Sequence, residues 1–297
     1  MKNFTDDELI AEIKKRFDDN KKALHDLRML SRKLEDMNKK LMESESMKTN
    51  FISNIKNELN NPLTNALLLS KSLSDGEISE EQIKEISSSI FSELFNLDFQ
   101  LTNIFAAAEI EAGTSPMSIS NVNVDELITD VLDNFRHLIK QKNLTYDYSF
   151  VNKNEENPYF KIDSTKLQLI LKNLVANAIE FNEGGGNFDI KARKHTTYLN
   201  LIISDNGPGI DLDHQELIFE RFRQLDTGAN KKHKGHGLGL SICKTLIDMM
   251  EGTITVTSKV GMGTIFTIFI PESKIDINVG IFSDSGNEFF FDEEEKF

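Results

Sequence analysis

Apolar residues first recur at Leu27, Leu30, Leu34, Met37 and Leu41, spaced alternately by three and four positions. The same beat runs on through Ser44, Lys48, Phe51 and Ile55. A heptad seam of this kind, uninterrupted by Gly or Pro, predicts a parallel coiled coil over 1–45. The helix is expected to continue from Ser46 to Ser74, with Phe51, Ile55 and Leu59 on one face. Pro62 should bend it, because proline removes an i→i−4 bond. Asp75-Gly76 is the expected stop. Ser79-Glu-Glu-Gln82 has the form of a capping box and predicts a second helix from about residue 78 to Ala112. In that helix Phe91, Phe95 and Phe99 are four apart, and Leu94, Leu101, Ile104 and Phe105 widen the face. One antiparallel hairpin cannot bury so broad a surface, so 46–115 is expected to dimerise into a four-helix bundle.

Past Gly113-Thr-Ser-Pro116 the period changes. Short β-branched or alternating runs at Tyr146–Val151, Phe188–Ala192, Leu199–Ser204, Thr253–Ser258 and Thr264–Ile270 interleave with helical runs at 124–142, 163–182 and 238–250. This predicts an α/β sandwich over 116–273, and the chain as a whole is of the α+β class. Residues 274–297 place Phe-Phe-Phe among Asp and Glu and are expected to be disordered.

Composition narrows the function. A net charge of −14 disfavours a general nucleic-acid role, which needs a basic footprint. The single cysteine, Cys243, rules out an intrachain disulfide and a cysteine metal cluster. The start, Met-Lys-Asn-Phe-Thr-Asp-Asp-Glu, lacks the basic and apolar segments of a signal peptide, and no run is long and apolar enough to span a bilayer. A cytoplasmic protein is the expectation.

Four pieces of the α/β region suit one ligand class. Asn173 and Asn177 are four apart on a helix, so both amides lie on one side; such groups suit Mg²⁺ and a phosphate. A strand ends in Asp205-Asn-Gly207-Pro-Gly209, an acidic acceptor followed by glycines that allow close backbone approach. Lys234-Gly235-His236-Gly237-Leu238-Gly239-Leu240 opens an apolar helix, whose N-terminal amides and dipole suit an oxyanion. Gly261-Met-Gly263-Thr264 turns into the last strand. In this order the four resemble the N, G1, G2 and G3 boxes of the histidine-kinase-type (GHKL) ATPase superfamily, and Phe219-Glu-Arg-Phe222 resembles its F box. The resemblance implies a Bergerat ATP fold, with Asp205 meeting adenine, Asn177 holding Mg²⁺ and Gly235–Gly239 forming a lid hinge. There are two departures. Glu180 stands where the family carries a basic residue near the phosphates, and His236 where a small Ser or Thr is common.

With the hairpin ahead of it, 46–272 resembles the core of a sensor histidine kinase of two-component systems. Phe51, Ile55, Glu58, Leu59, Asn61, Pro62 and Leu63 match the family's acceptor motif, but Asn57 occupies the place of the phosphoacceptor histidine. An amide nitrogen, its lone pair delocalised, is no substitute for an imidazole whose pKa lies near 6.5. Lys56, an ammonium at pH 7, is no substitute either. The family assigns Glu58 to general-base work and Asn61 to orienting water when a response regulator is dephosphorylated. The expected function is therefore an ATP-binding regulator that does not autophosphorylate by the usual route. It would be a homodimer acting on a response-regulator receiver domain or on another histidine kinase. Alternatives are an ATP-gated scaffold and a related protein kinase of the superfamily.

Overall fold

The computed structural model describes residues 6–74, 79–152, 159–182, 184–223 and 237–275. The chain divides into two compact units, Met1–Phe105 with Glu216–Leu238, and Ala106–Gln215 with Gly239–Phe297. The expected turn at Asp75-Gly76 and the tail beyond 275 lie outside the described residues.

In the first unit, α1 (Asp6–Ser74) is a single helix of 69 residues that contains Pro62. Helical structure persists on both sides of the proline, so the ring does not end the helix. Leu27, Leu30, Leu34, Met37 and Leu41 are each more than half exposed, leaving the heptad seam bare on one chain. The second helix, α2 (Glu80–Ala112), starts as the capping box predicts. The Ser79 N–H donates to Gln82 Oε1 at 3.1 Å, and the Gln82 N–H to Ser79 Oγ at 3.3 Å. Asn65 Nδ2 donates to Glu93 Oε1 at 3.3 Å, so α2 returns alongside α1. Phe91 stacks on Phe95 at 6.2 Å between ring centroids, yet Phe91 and Phe105 stay 55% and 62% exposed.

The second unit carries β1 (Ile119–Asn123), α3 (Val124–Gln141), β2 (Thr145–Asn152), β3 (Tyr159–Asp163) and α4 (Ser164–Phe181). Next come β4 (Asn187–Lys194), β5 (Tyr198–Asp205), α5 (Gly239–Met249), β6 (Thr253–Ser258) and β7 (Thr264–Pro271). Five strands form one sheet in the order β2-β4-β5-β7-β6, parallel between β2 and β4 and antiparallel elsewhere. Register lines up a buried stripe: Ile190 and Ala192 pair with Ile203 and Leu201, which pair in turn with Phe266 and Ile268. Helix α4, with Leu167, Ile170, Leu171, Leu174 and Val175 buried, packs on β5, and α5, with Ile242, Leu246 and Ile247 buried, packs on α4 and β6. Alternation of period two on the strands and a broad apolar face on the helices make this two-layer sandwich. Cys243 is buried there, its Sγ 3.7 Å from the Ile170 carbonyl, and burial pushes the thiol up.

Strands β1 and β3 are the part the hydrophobic pattern misses. Each is five residues long, and they pair only with each other, Ile119 opposite Asp163. Ser and Asn residues occupy most of β1, so no alternating apolar run announces it. Asp163 links this pair to α4. Its carboxylate caps the helix by accepting from the Lys166 N–H at 3.0 Å, and accepts from the Ser118 N–H at 2.8 Å and Lys166 Nζ at 3.0 Å. The side chain is 1% exposed, and Lys166 Nζ also donates to the Pro116 carbonyl at 2.6 Å. Asp163→Ala removes a helix cap and one of the two partners of Lys166 Nζ, so it is expected to cost about 2 kcal/mol by denaturant titration. Asp163→Asn, which keeps the cap, should cost less.

Candidate nucleotide site

Three glycines shape the end of the sheet where β5 and β7 meet. The Asp205 carboxylate accepts from the Gly207 N–H at 2.9 Å. A Cβ on Gly207 would stand 2.9 Å from both Asp205 Oδ1 and the Phe181 carbonyl. Gly263, at φ +83°, leaves no room for a Cβ against the Asp205 carbonyl, and Gly209, at φ +71°, none against the Lys259 carbonyl. Backbones that approach this closely demand glycine. Two further ties join the loops. The Gly261 N–H donates to the Pro208 carbonyl at 2.7 Å, and Gln215 Nε2 bridges the Ile210 and Ser258 carbonyls at 3.1 and 2.8 Å. Gln215 and Ser258 were not singled out by sequence; a lone Gln or Ser in a loop gives no signal.

Asp205 is the charged group at this end. Burial raises its pKa, and the backbone N–H groups of Gly207 and Thr264 pull it partly back. Thr264 lies opposite it in register and is buried. A partly desolvated carboxylate beside a glycine turn accepts well from a neutral N–H donor, such as the amino group of a base.

Helix α4 carries the two asparagines, in different settings. Asn173 is 3% exposed, and its Nδ2 donates to the Leu169 carbonyl at 3.0 Å. Its Oδ1 lies 2.5 Å from the point where a Cβ on Gly239 would sit, so it packs against the start of α5. Asn177 is half-buried. At the end of the helix Lys142 Nζ donates to the Ile179 and Glu180 carbonyls at 2.9 and 2.8 Å, a cation on the negative end of the dipole. Glu180 Oε2 is 3.8 Å from the same Nζ, so the acidic side chain has a positive neighbour. Asn182 follows, its Nδ2 bound to the Asn187 carbonyl at 2.8 Å and its Oδ1 buried without a hydrogen bond.

In the first unit Leu217–Phe219 is a short 3-10 turn, and Phe222 adopts φ +64° while its N–H donates to the Gly237 carbonyl at 3.0 Å. Gly237, at φ +65°, packs on the Arg223 backbone, and Leu238 is 2% exposed. Lys234, Gly235 and His236 lie outside the described residues. Asn57 and Glu58 are on α1, where the backbone is helical and their side chains are not described; Asn61 is exposed. The structure therefore brings Asp205, Gly207 and Thr264 together at one end of the sheet, and Asn173 and Gly239 together at the start of α5. Adenine suits the first group, where an acceptor sits between backbones too close for any side chain. No cluster of three or more His, Cys, Asp or Glu suited to a metal occurs among the described residues.

Residues 162–274 match a family described as the histidine kinase-, DNA gyrase B- and HSP90-like ATPase. The chain is also 30% identical over 254 residues to the histidine protein kinase SaeS of Staphylococcus aureus, an overlap of 84% of this chain and 70% of that protein. The chain belongs to the histidine kinase family. Another histidine kinase relative, hybrid signal transduction histidine kinase D of Dictyostelium discoideum, is 30% identical over 245 residues. That match takes in 80% of this chain but spans 16% of that protein's length. A solved structure of full-length ShkA in complex with AMPPNP superposes with a TM-score of 0.53 at 23% identity, over 74% of this chain and 45% of that one. This likeness shows the fold: a helical N-terminal region followed by the ATPase sandwich of histidine kinases. No described helix is long and apolar enough to cross a membrane.

Because the folded pKa of Asp205 lies above its unfolded value, its ionisation opposes folding at pH 7. That penalty is relieved as pH falls through the folded pKa. Asp205→Asn is therefore expected to raise the melting temperature of the nucleotide-free chain at pH 7, with the gain shrinking at acid pH. The same variant should bind ATP roughly 10- to 100-fold more weakly by calorimetry, the loss of one hydrogen bond to a charged acceptor.

Proposed function

We propose that this histidine kinase family member binds Mg²⁺-ATP and signals within a two-component system without forming a phosphohistidine of its own. The observation that carries the reading is Asn57 at the acceptor position of α1, in a chain that keeps an ATPase domain. Asp205 and the glycine turns would receive adenine. Asn177 would supply one oxygen to Mg²⁺, with phosphates and water completing its shell. The segment from Lys234 to Gly239 would enclose the phosphates. Bound nucleotide supplies a transferable phosphoryl group; an amide at 57 has no nucleophilic lone pair to take it.

Glu58 and Asn61 remain for work that needs no covalent intermediate. Asn61, exposed and one turn beyond Asn57, would orient water toward the phosphoaspartate of a response-regulator receiver. The bare heptad seam and the exposed phenylalanines of α2 support a homodimer, since a single chain leaves these apolar stripes in water. Pairing with a histidine-bearing kinase is the other arrangement these surfaces serve. A cytoplasmic site of action fits a receiver as partner.

Incubation with labelled ATP and Mg²⁺ is expected to leave 46–112 free of acid-labile, base-stable label, whereas Asn57→His should acquire it. Label on the wild-type hairpin would overturn the reading. Addition of the chain to phosphorylated receiver domains should speed phosphate loss, and Asn61→Ala should abolish that acceleration. No acceleration with the cognate receiver would remove the phosphatase role and leave binding.

A further inference from the structure

The main sheet has a second face. Side chains alternate along a strand, so the residues between the buried ones on β4, β5 and β7 point away from α4 and α5. Val151, Arg193, Asn200 and Phe269 stand directly opposite one another across β2, β4, β5 and β7, in one row on this face. Tyr198 borders the row, its ring centroid 6.2 Å from that of Phe269, and His195 stacks on Tyr198 at 4.1 Å. Val151, Tyr198 and Phe269 are 39%, 36% and 44% exposed. The solvent side of such a sheet commonly carries polar residues, so an aromatic patch there marks a surface for something else to cover.

Its charge is local. Arg193 and Lys191, two residues apart on β4, point to this face, are exposed, and have no carboxylate partner among the described residues. The acidic residues of the face, Asp147 and Asp189, sit opposite each other toward its other end. Two open cations beside open aromatic rings thus mark the Tyr198 end, in a chain of net charge −14. Tyr198 begins β5 and Asp205 ends it, so this surface is separate from the glycine turns.

The chain itself carries the complement. It leaves the sheet next to this patch: the Glu272 N–H donates to the Thr197 carbonyl at 2.8 Å, and the Ser273 N–H to the Lys161 carbonyl at 3.0 Å. Beyond Ile275 the sequence reaches Phe289-Phe-Phe-Asp-Glu-Glu-Glu295, three rings followed by four carboxylates. The stretch from Ile275 to Phe289 can span roughly 45 Å when extended, whereas Phe269 and Val151, three strands apart, are about 15 Å from each other. Tethering over that range gives an effective concentration on the order of millimolar. We propose that this face receives the chain's own segment 284–297, with Phe289–Phe291 against Tyr198 and Phe269, and Asp292–Glu295 against Arg193 and Lys191.

A labelled peptide of residues 284–297 tests this by fluorescence anisotropy, against the full chain and against a chain ending at Ile275. The shortened chain is expected to bind the peptide, and the full chain to bind it at least tenfold more weakly, because its own segment competes. Arg193→Glu with Lys191→Glu should weaken the peptide at least tenfold in the shortened chain, and a peptide carrying Asp292→Lys and Glu293→Lys should recover the loss. No binding to the shortened chain would overturn the proposal, as would binding that the two reversals leave unchanged. Equal binding by both chains would show the face open in the whole chain, and also overturns it. Competition that is lost on dilution of the full chain would seat the segment on a second copy, against the proposal.

Discussion

The Asp163 carboxylate accepts from the first turn of α4, from the backbone ahead of β1 and from Lys166, all in a position almost without solvent. This one group decides where α4 begins and ties it to the small β1–β3 pair. Helix α4 is the central helix of its layer, between α3 and α5 and over β5. Its start therefore sets the height of every side chain further along it, including Asn173, Asn177, Glu180 and Asn182. Lys142 fixes the other end by capping the last carbonyls. A helix pinned at both termini by charged groups has little freedom to slide, which a binding surface built along it requires.

The second constraint is steric. At Gly207, Gly209 and Gly263 the backbones of three loops come closer than any Cβ permits. Such closeness leaves Asp205 short of water without taking it out of reach, which is why its carboxyl is raised while backbone N–H groups still hold it. Burial here is a cost in stability accepted in exchange for a directed acceptor.

The acceptor region follows a different logic. Nothing in helical geometry distinguishes Asn57 from a histidine: both fit α1, and the helix continues past Pro62 to Ser74. Asparagine and histidine differ there in the electronic structure of a single side chain.

Long amphipathic helices and the five strands of the main sheet were legible in the sequence, because their periods of 3.6 and 2 extend over enough residues to stand out. The capping box at Ser79–Gln82 was legible too, as a local reciprocal pattern. Strands β1 and β3 were not, since five mixed residues become a strand only when a partner distant in sequence pairs with them. At the site, Asp205 and its glycines could be named from spacing, but the setting of the two asparagines could not. Asn173 and Asn177 are equivalent in a helical repeat; packing against Gly239 buried one and left the other half-open. By itself the sequence determined the elements and the family, because each depends on local pattern or on side-chain chemistry. Only the tertiary structure decided which polar atoms lost their water, as with Asp205 and Asn182, because desolvation is the work of neighbours brought from elsewhere in the chain.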